Sequence, residues 1–217
     1  MPRGALLTTP PWIARFAAGA LLVAASAASA GTPAEELLAG QPGELIGRLE
    51  AQKVVVLEEV SVETGRGEGF FLAYVIFETS AQRAYELLAD TPRHAEFRPE
   101  IRAIETVAKH PGGNTDSHRL KVLFLDATYW IRYEKDPAGR SLRWTLDTDY
   151  PNRLKYTEGF WEFYEMEGGR ALGRFGASID VGPALPQFFQ NWVTRKNLPR
   201  TIERARLWVD SDGSYRP

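Results

Sequence analysis

An α+β domain is what this sequence predicts, with an antiparallel sheet of about six to eight strands, a short early helix and a long C-terminal helix. Three observations carry it. From Ile101 onward, segments of alternating apolar and polar residues recur about every ten positions, with Gly, Pro and Asn between them. Before them, YELLADTPRHAEFRPEIRAIE (Tyr85 to Glu105) passes from helical spacing through an elbow pinned by Pro92 and Pro99 into a strand. At the far end, Pro186 to Asp210 returns to helical spacing.

The first thirty residues stand apart from the fold. Arg3 and Arg15 supply a positive start, FAAGALLVAA (Phe16 to Ala25) is a short apolar run, and Ala28-Ser29-Ala30 has the small-x-small form of a cleavage site before Gly31. A spanning helix needs about 20 apolar residues, so the segment reads as a cleaved signal peptide. The expectation is a periplasmic or secreted protein with no stable membrane span after cleavage. The chain has no cysteine, which leaves no site for a lipid anchor and no disulfide staple; a packed core must hold the domain. Removing Arg3 and Arg15 leaves 24 basic residues against 28 acidic ones. That balance gives no gross attraction for nucleic acid or an anionic membrane.

Residues 31–52, with scattered leucines around Gln41-Pro42-Gly43, read as short helical pieces leading into the domain. KVVVLEEVSV (Lys53 to Val62) and FFLAYVIFE (Phe70 to Glu78) are β-branched and aromatic, and the glycine-rich ETGRGEG between them suits a hairpin turn. Ser80 is a good N-cap for a helix whose Ala81, Ala84, Tyr85 and Leu88 share one face. Six strand candidates follow, IRAIETVAK, HRLKVLFLD, ATYWIRYEKD, SLRWTLDTDY, KYTEGFWEFYEM and ALGRFGASIDV. In the third, Tyr129, Ile131 and Tyr133 oppose Trp130, Arg132 and Glu134; in the fourth, Leu142, Trp144 and Leu146 oppose Arg143, Thr145 and Asp147. Such alternation belongs to a sheet with one buried and one solvated face. In the terminal helix, Pro199 should kink or divide the run. SDGSYRP (residues 211–217) should be a flexible, frayed tail.

Several motifs in this order resemble the START-like, or SRPBCC, superfamily, and in particular its polyketide cyclase/dehydrase and coenzyme Q-binding-like branch. SAQRAYELLADTPRHAEFRPEI resembles that group's helix, Asp, elbow and Phe-x-Pro entry, at Asp90, Phe97 and Pro99. EGFWEF is similar to its Gly-x-Trp-x-aromatic strand, at Gly159, Trp161 and Phe163. VGPALPQFF and NLPRTIERARLWV resemble the start and continuation of its last helix, at Gly182, Pro183, Pro186, Leu198 and Pro199. The resemblance spans residues 53–210. It implies the helix-grip fold, a curved sheet wrapped around the long C-terminal helix, with a central hydrophobic cavity between them. The fold hosts binders, carriers and enzymes alike.

For the site, the aromatics Tyr129, Tyr133, Trp144, Trp161 and Phe163 in the strands, with Phe188 and Trp192 in the helix, are the expected cavity wall. The expected partner is an apolar small molecule or lipid, carried or sequestered. The alternative is a cyclase/aromatase- or dehydratase-type enzyme using the same cavity. No GxSxG, GxGxxG or metal-spaced histidine motif is present, so no catalytic constellation, cofactor or metal is expected. Glu158 beside Gly159 is the one candidate acid, turned inward if a β-bulge re-aims it. His94 reads as a solvated loop histidine, and Asp147 and Asp149 as solvated strand carboxylates.

Overall fold

The computed structural model describes residues 34–39, 41–60, 70–122, 125–180 and 197–217. The expected signal peptide, the glycine-rich hairpin turn and the segment holding Phe188 and Trp192 lie outside the described residues.

Two short helices, α1 (Ala34–Ala39) and α2 (Gly43–Gln52), precede the hairpin strands β1 (Val54–Val60) and β2 (Phe70–Phe77). Helix α3 (Ala81–Ala89) and a 3-10 turn (Thr91–Glu96) come next. The meander is β3 (Ile101–His110), β4 (Gly113–Val122), β5 (Leu125–Asp136), β6 (Ser141–Leu146), β7 (Tyr156–Glu165) and β8 (Ala171–Asp180). Helix α4 (Leu198–Asp210) closes the described chain. The eight strands form one antiparallel sheet in the order β1-β2-β8-β7-β6-β5-β4-β3.

That order explains the helix and elbow. β2 lies near one edge and β3 forms the other, so the chain must cross the concave face between them. α3 makes the crossing, packed on β6, β7 and β8. Ser80 caps it as expected, its Oγ accepting from the Arg83 N–H at 3.2 Å, and Ala81, Ala84, Tyr85 and Leu88 are all buried. The meander then returns strand by strand until β8 pairs with β2. β4 begins at Gly113, earlier than the sequence pattern indicated, because only Pro111 and Gly112 form the turn. Pro199 sits in the first described turn of α4.

The main core fills the concave side, where α3, the elbow and α4 face the sheet. A second, smaller core lies on the opposite face. There Leu45 and Leu49 of α2 cover Val55, Tyr74, Ile76 and Leu172. β2 is therefore buried on both faces, which is why FFLAYVIF reads as a continuous apolar run. The lead-in helices are thus a third layer.

The tail corrects an expectation. It is pinned: Arg83 Nε donates to Asp212 Oδ1 at 2.7 Å, Arg93 Nη2 donates to the Gly213 carbonyl at 3.2 Å, and Arg216 lies 2.7 Å from Glu96. Tyr215 packs against the main core. The polar composition of SDGSYRP concealed charged partners that α3 and the elbow supply.

Candidate ligand-binding cavity

Between the sheet and α4 the main core is hollow, leaving a cavity of about 180 Å³. Its floor is built by strand alternation. Tyr129, Ile131 and Tyr133 of β5, Leu142 and Trp144 of β6, Thr157 and Trp161 of β7, and Phe175, Ala177 and Ile179 of β8 all point inward. α4 closes it with Leu198, Thr201, Ile202 and Ala205, and the elbow adds His94, Phe97 and Arg98. Trp161 packs against Phe175 at 4.8 Å between ring centroids, and Trp144 meets Phe175 at 5.8 Å.

Of the expected wall residues, Tyr129, Tyr133, Trp144 and Trp161 line the cavity. Phe163 does not. It is 1% exposed, stacked on Trp161 and met edge-on by Tyr85, so α3 seals it into solid core. Glu158 is also displaced from its expected role. Both ladders of β7 run in unbroken register, Glu158 opposite Thr145 on one side and Ser178 on the other. With no bulge to re-aim it, Glu158 shares the outer face with Phe160 and Glu162, away from the cavity.

His94 is a third correction. Far from solvated, it is 7% exposed, points into the cavity wall, and its Nε2 donates to the Leu88 carbonyl at 2.8 Å. Burial, opposed by that hydrogen bond, holds its pKa down to about 4. Asp147 is a fourth. It is 3% exposed, and it accepts from Thr115 Oγ1 at 2.9 Å with Arg132 3.3 Å away. Asn152 folds the following loop over it by donating to the Asp147 and Tyr150 carbonyls. Asp149 remains exposed. Among the described residues no group of His, Cys, Asp and Glu could hold a metal ion, and no helix is long and apolar enough to cross a membrane.

One end of the cavity is polar. His118 of β4 stacks on Tyr129, ring centroids 5.0 Å apart, and its Nε2 is 3.3 Å from the Tyr133 hydroxyl. Burial, reinforced by the Arg98 charge, holds His118 well below its ordinary pKa, so it is neutral at pH 7. Burial pushes Tyr133 up, with Asp116 adding to it; Tyr129 is also raised by burial, against the pull of Arg98. Both phenols therefore stay protonated. Burial works against the charge on Arg98, but its pKa is still raised, and at neutral pH the Glu100 carboxylate is the charge that favours it. Sequence patterning gave no sign of Arg98, which sits in the elbow between Phe97 and Pro99. His118 was within reach of it, since it shares parity with Leu120 on β4.

Neither any protein-family model nor any curated protein matches this sequence. Solved structures do match the fold. A STAR-related lipid transfer protein from Xanthomonas axonopodis (fragment 25–204) superposes with a TM-score of 0.57 at 17% identity, covering 73% of this chain and 94% of that one. The chain has the START-like helix-grip fold. A START superfamily protein from Mycobacterium smegmatis gives a TM-score of 0.55 at 12% identity, with 65% and 97% covered. The Zhui aromatase/cyclase from Streptomyces sp. R1128 gives 0.53 at 16% identity, with 67% and 98% covered. At such identities the likeness is one of fold. In this helix-grip domain, α1 and α2 lie before the residues shared with the resembled motifs and cover the outer face of the sheet.

Proposed function

We propose that this START-like domain is exported and binds a small apolar molecule, or the apolar end of a lipid, for carriage or sequestration. The observation that carries the reading is the hollow in the main core, walled by Trp144, Trp161, Phe175 and Ile202. Close-packed interiors leave few voids of this size, and an apolar hollow fills readily with an apolar guest. Each buried CH₂ of a ligand contributes roughly 0.8 kcal/mol, before the cost of association. Support for export comes from the first thirty residues alone, and support for lipid-type ligands from the name of the Xanthomonas neighbour.

A second reading, cyclase- or dehydratase-type chemistry, is favoured by one observation. The neutral imidazole of His118 and the Tyr133 phenol face the cavity as a hydrogen-bonded pair, and such a pair can relay a proton to an enolisable ligand.

Native mass spectrometry of the protein purified from its own host, followed by solvent extraction, tests the first reading. A stoichiometric apolar species is expected, on a chain whose intact mass begins at Gly31. A protein that is empty and also refuses offered lipids and aromatics would overturn it. Turnover of a bound species, lost in Tyr133→Phe, would favour the second reading instead.

A further inference from the structure

At the polar end of the cavity two buried nitrogens have no hydrogen-bond partner among the described residues: His118 Nδ1 and Arg98 Nε. His118 is 1% exposed. Its Nε2 lies 3.3 Å from the Tyr133 hydroxyl; in the tautomer where that hydroxyl donates, Nε2 accepts and Nδ1 carries the hydrogen. Nδ1–H is then a buried donor without an acceptor among the described residues, on a residue that lines the cavity. Arg98 Nε lies 3.6 Å from Glu100 Oε1, too far for a hydrogen bond. Native interiors leave few polar atoms unpaired, and here both are N–H donors on residues lining one cavity.

The charges at this end are also unbalanced. Glu100 is shared, with Arg98 on one side and Arg204 Nη1 at 3.6 Å on the other. Two guanidiniums thus face one carboxylate. The other buried acid nearby, Asp116, is occupied by Thr91, by Thr106 at 2.7 Å and by Asn114 at 2.5 Å, and it faces the Lys135 ammonium. His94 and His118 are neutral. Around Glu100, among the described residues, there is one more guanidinium than carboxylate.

We propose that this end of the cavity receives the carboxylate of a small amphiphilic acid, with Arg98 Nε–H and His118 Nδ1–H donating to its oxygens. Trp144, Trp161 and Phe175 enclose its apolar body. A carboxylate fits because it brings one negative charge and two acceptors in a plane; a phosphate would bring more charge than the site offsets. Size follows from the volume. A cavity of about 150 Å³ takes benzene, so about 180 Å³ holds one ring or a short alkyl chain. This inference rests on the apolar-ligand reading and sharpens it.

Isothermal titration with benzoate and benzyl alcohol separates the two, because the probes share a single ring of the size the cavity holds and differ only at the head. The acid is expected to bind at least about tenfold tighter than the alcohol, the effect of a charge-assisted hydrogen bond. Arg98→Gln and His118→Phe should each shrink that ratio to within about threefold. Should His118→Phe fail to fold, Arg98→Gln carries the comparison. Equal binding of both probes by the unaltered protein would overturn the carboxylate site and leave the apolar cavity standing. A preference for the acid that survives both substitutions would also overturn it. Failure of both probes to bind, with offered lipids and other aromatics refused as well, would remove the apolar-ligand reading, and the carboxylate site with it.

Discussion

Gly159 and Trp144 are direct partners across β7 and β6, and the indole lies where a side chain on residue 159 would stand. A Cβ there would collide with the ring and with the Gly176 carbonyl. On the outer face Phe160 lies over its own partner Gly176 in the same way. The glycine of EGFWEF is therefore a matter of space: it lets an aromatic ring from the next strand lie flat on the cavity floor. That much was legible, since a glycine inside a strand pattern points to a close approach, but the ring that approaches was not. Gly159→Ala should destabilise the fold by about 1–3 kcal/mol, the usual penalty of overpacking, because the backbone carbonyl on the other side cannot yield. Urea unfolding followed by tryptophan fluorescence measures it. Unchanged stability would mean that Trp144 can leave the floor freely.

At the scale of elements, the outer layer should be separable from the cavity. Leu49 of α2 is wholly buried against β1, β2 and β8, on the face of the sheet opposite the cavity. Leu49→Ala should cost about 2–4 kcal/mol while leaving ligand uptake by the folded fraction unchanged. Denaturant midpoints and ligand titration, taken together, check both halves; a parallel loss of affinity would show that the two faces of the sheet are coupled. The strands themselves were readable because period-two alternation is local, and α3 was readable from Ser80 and its apolar spacing. The docking of α1 and α2 was not, since their leucines show that a face is buried without saying against what. His94 failed for a related reason. Its burial depends on the elbow folding back so that its ring meets the Leu88 carbonyl and packs 5.3 Å from Phe97, a tertiary arrangement with no local signature. Glu158 shows the converse: plain alternation was the better guide, and the bulge needed to turn it inward is not there.

For the molecule as a whole, the buried histidines set how stability depends on pH. His94 has an ordinary pKa of 6.5 and is held to about 4 in the folded state. Between those values the unfolded chain binds a proton that the folded chain refuses, so stability is full above pH 6.5 and falls as the solution is acidified. For His94 alone the loss is about 2 kcal/mol at pH 5 and about 3 kcal/mol once pH 4 is passed. His118 is shifted in the same direction by the same cause and steepens the fall. Glu96, lowered chiefly by its hydrogen bond from Arg93, loses its contribution only further down, below the ordinary carboxylate range. Asp210 works the other way: burial raises it, so its contribution grows as the solution is acidified. The urea midpoint should therefore drop between pH 7 and pH 5, where carboxylates scarcely titrate. His94→Asn should flatten part of that slope even if it lowers stability at pH 7. A midpoint that stays level from pH 7 to pH 5 would mean that the histidine end of the cavity admits water and protons in the folded state. The cavity would then be wet, and an apolar ligand would have to displace solvent there to bind.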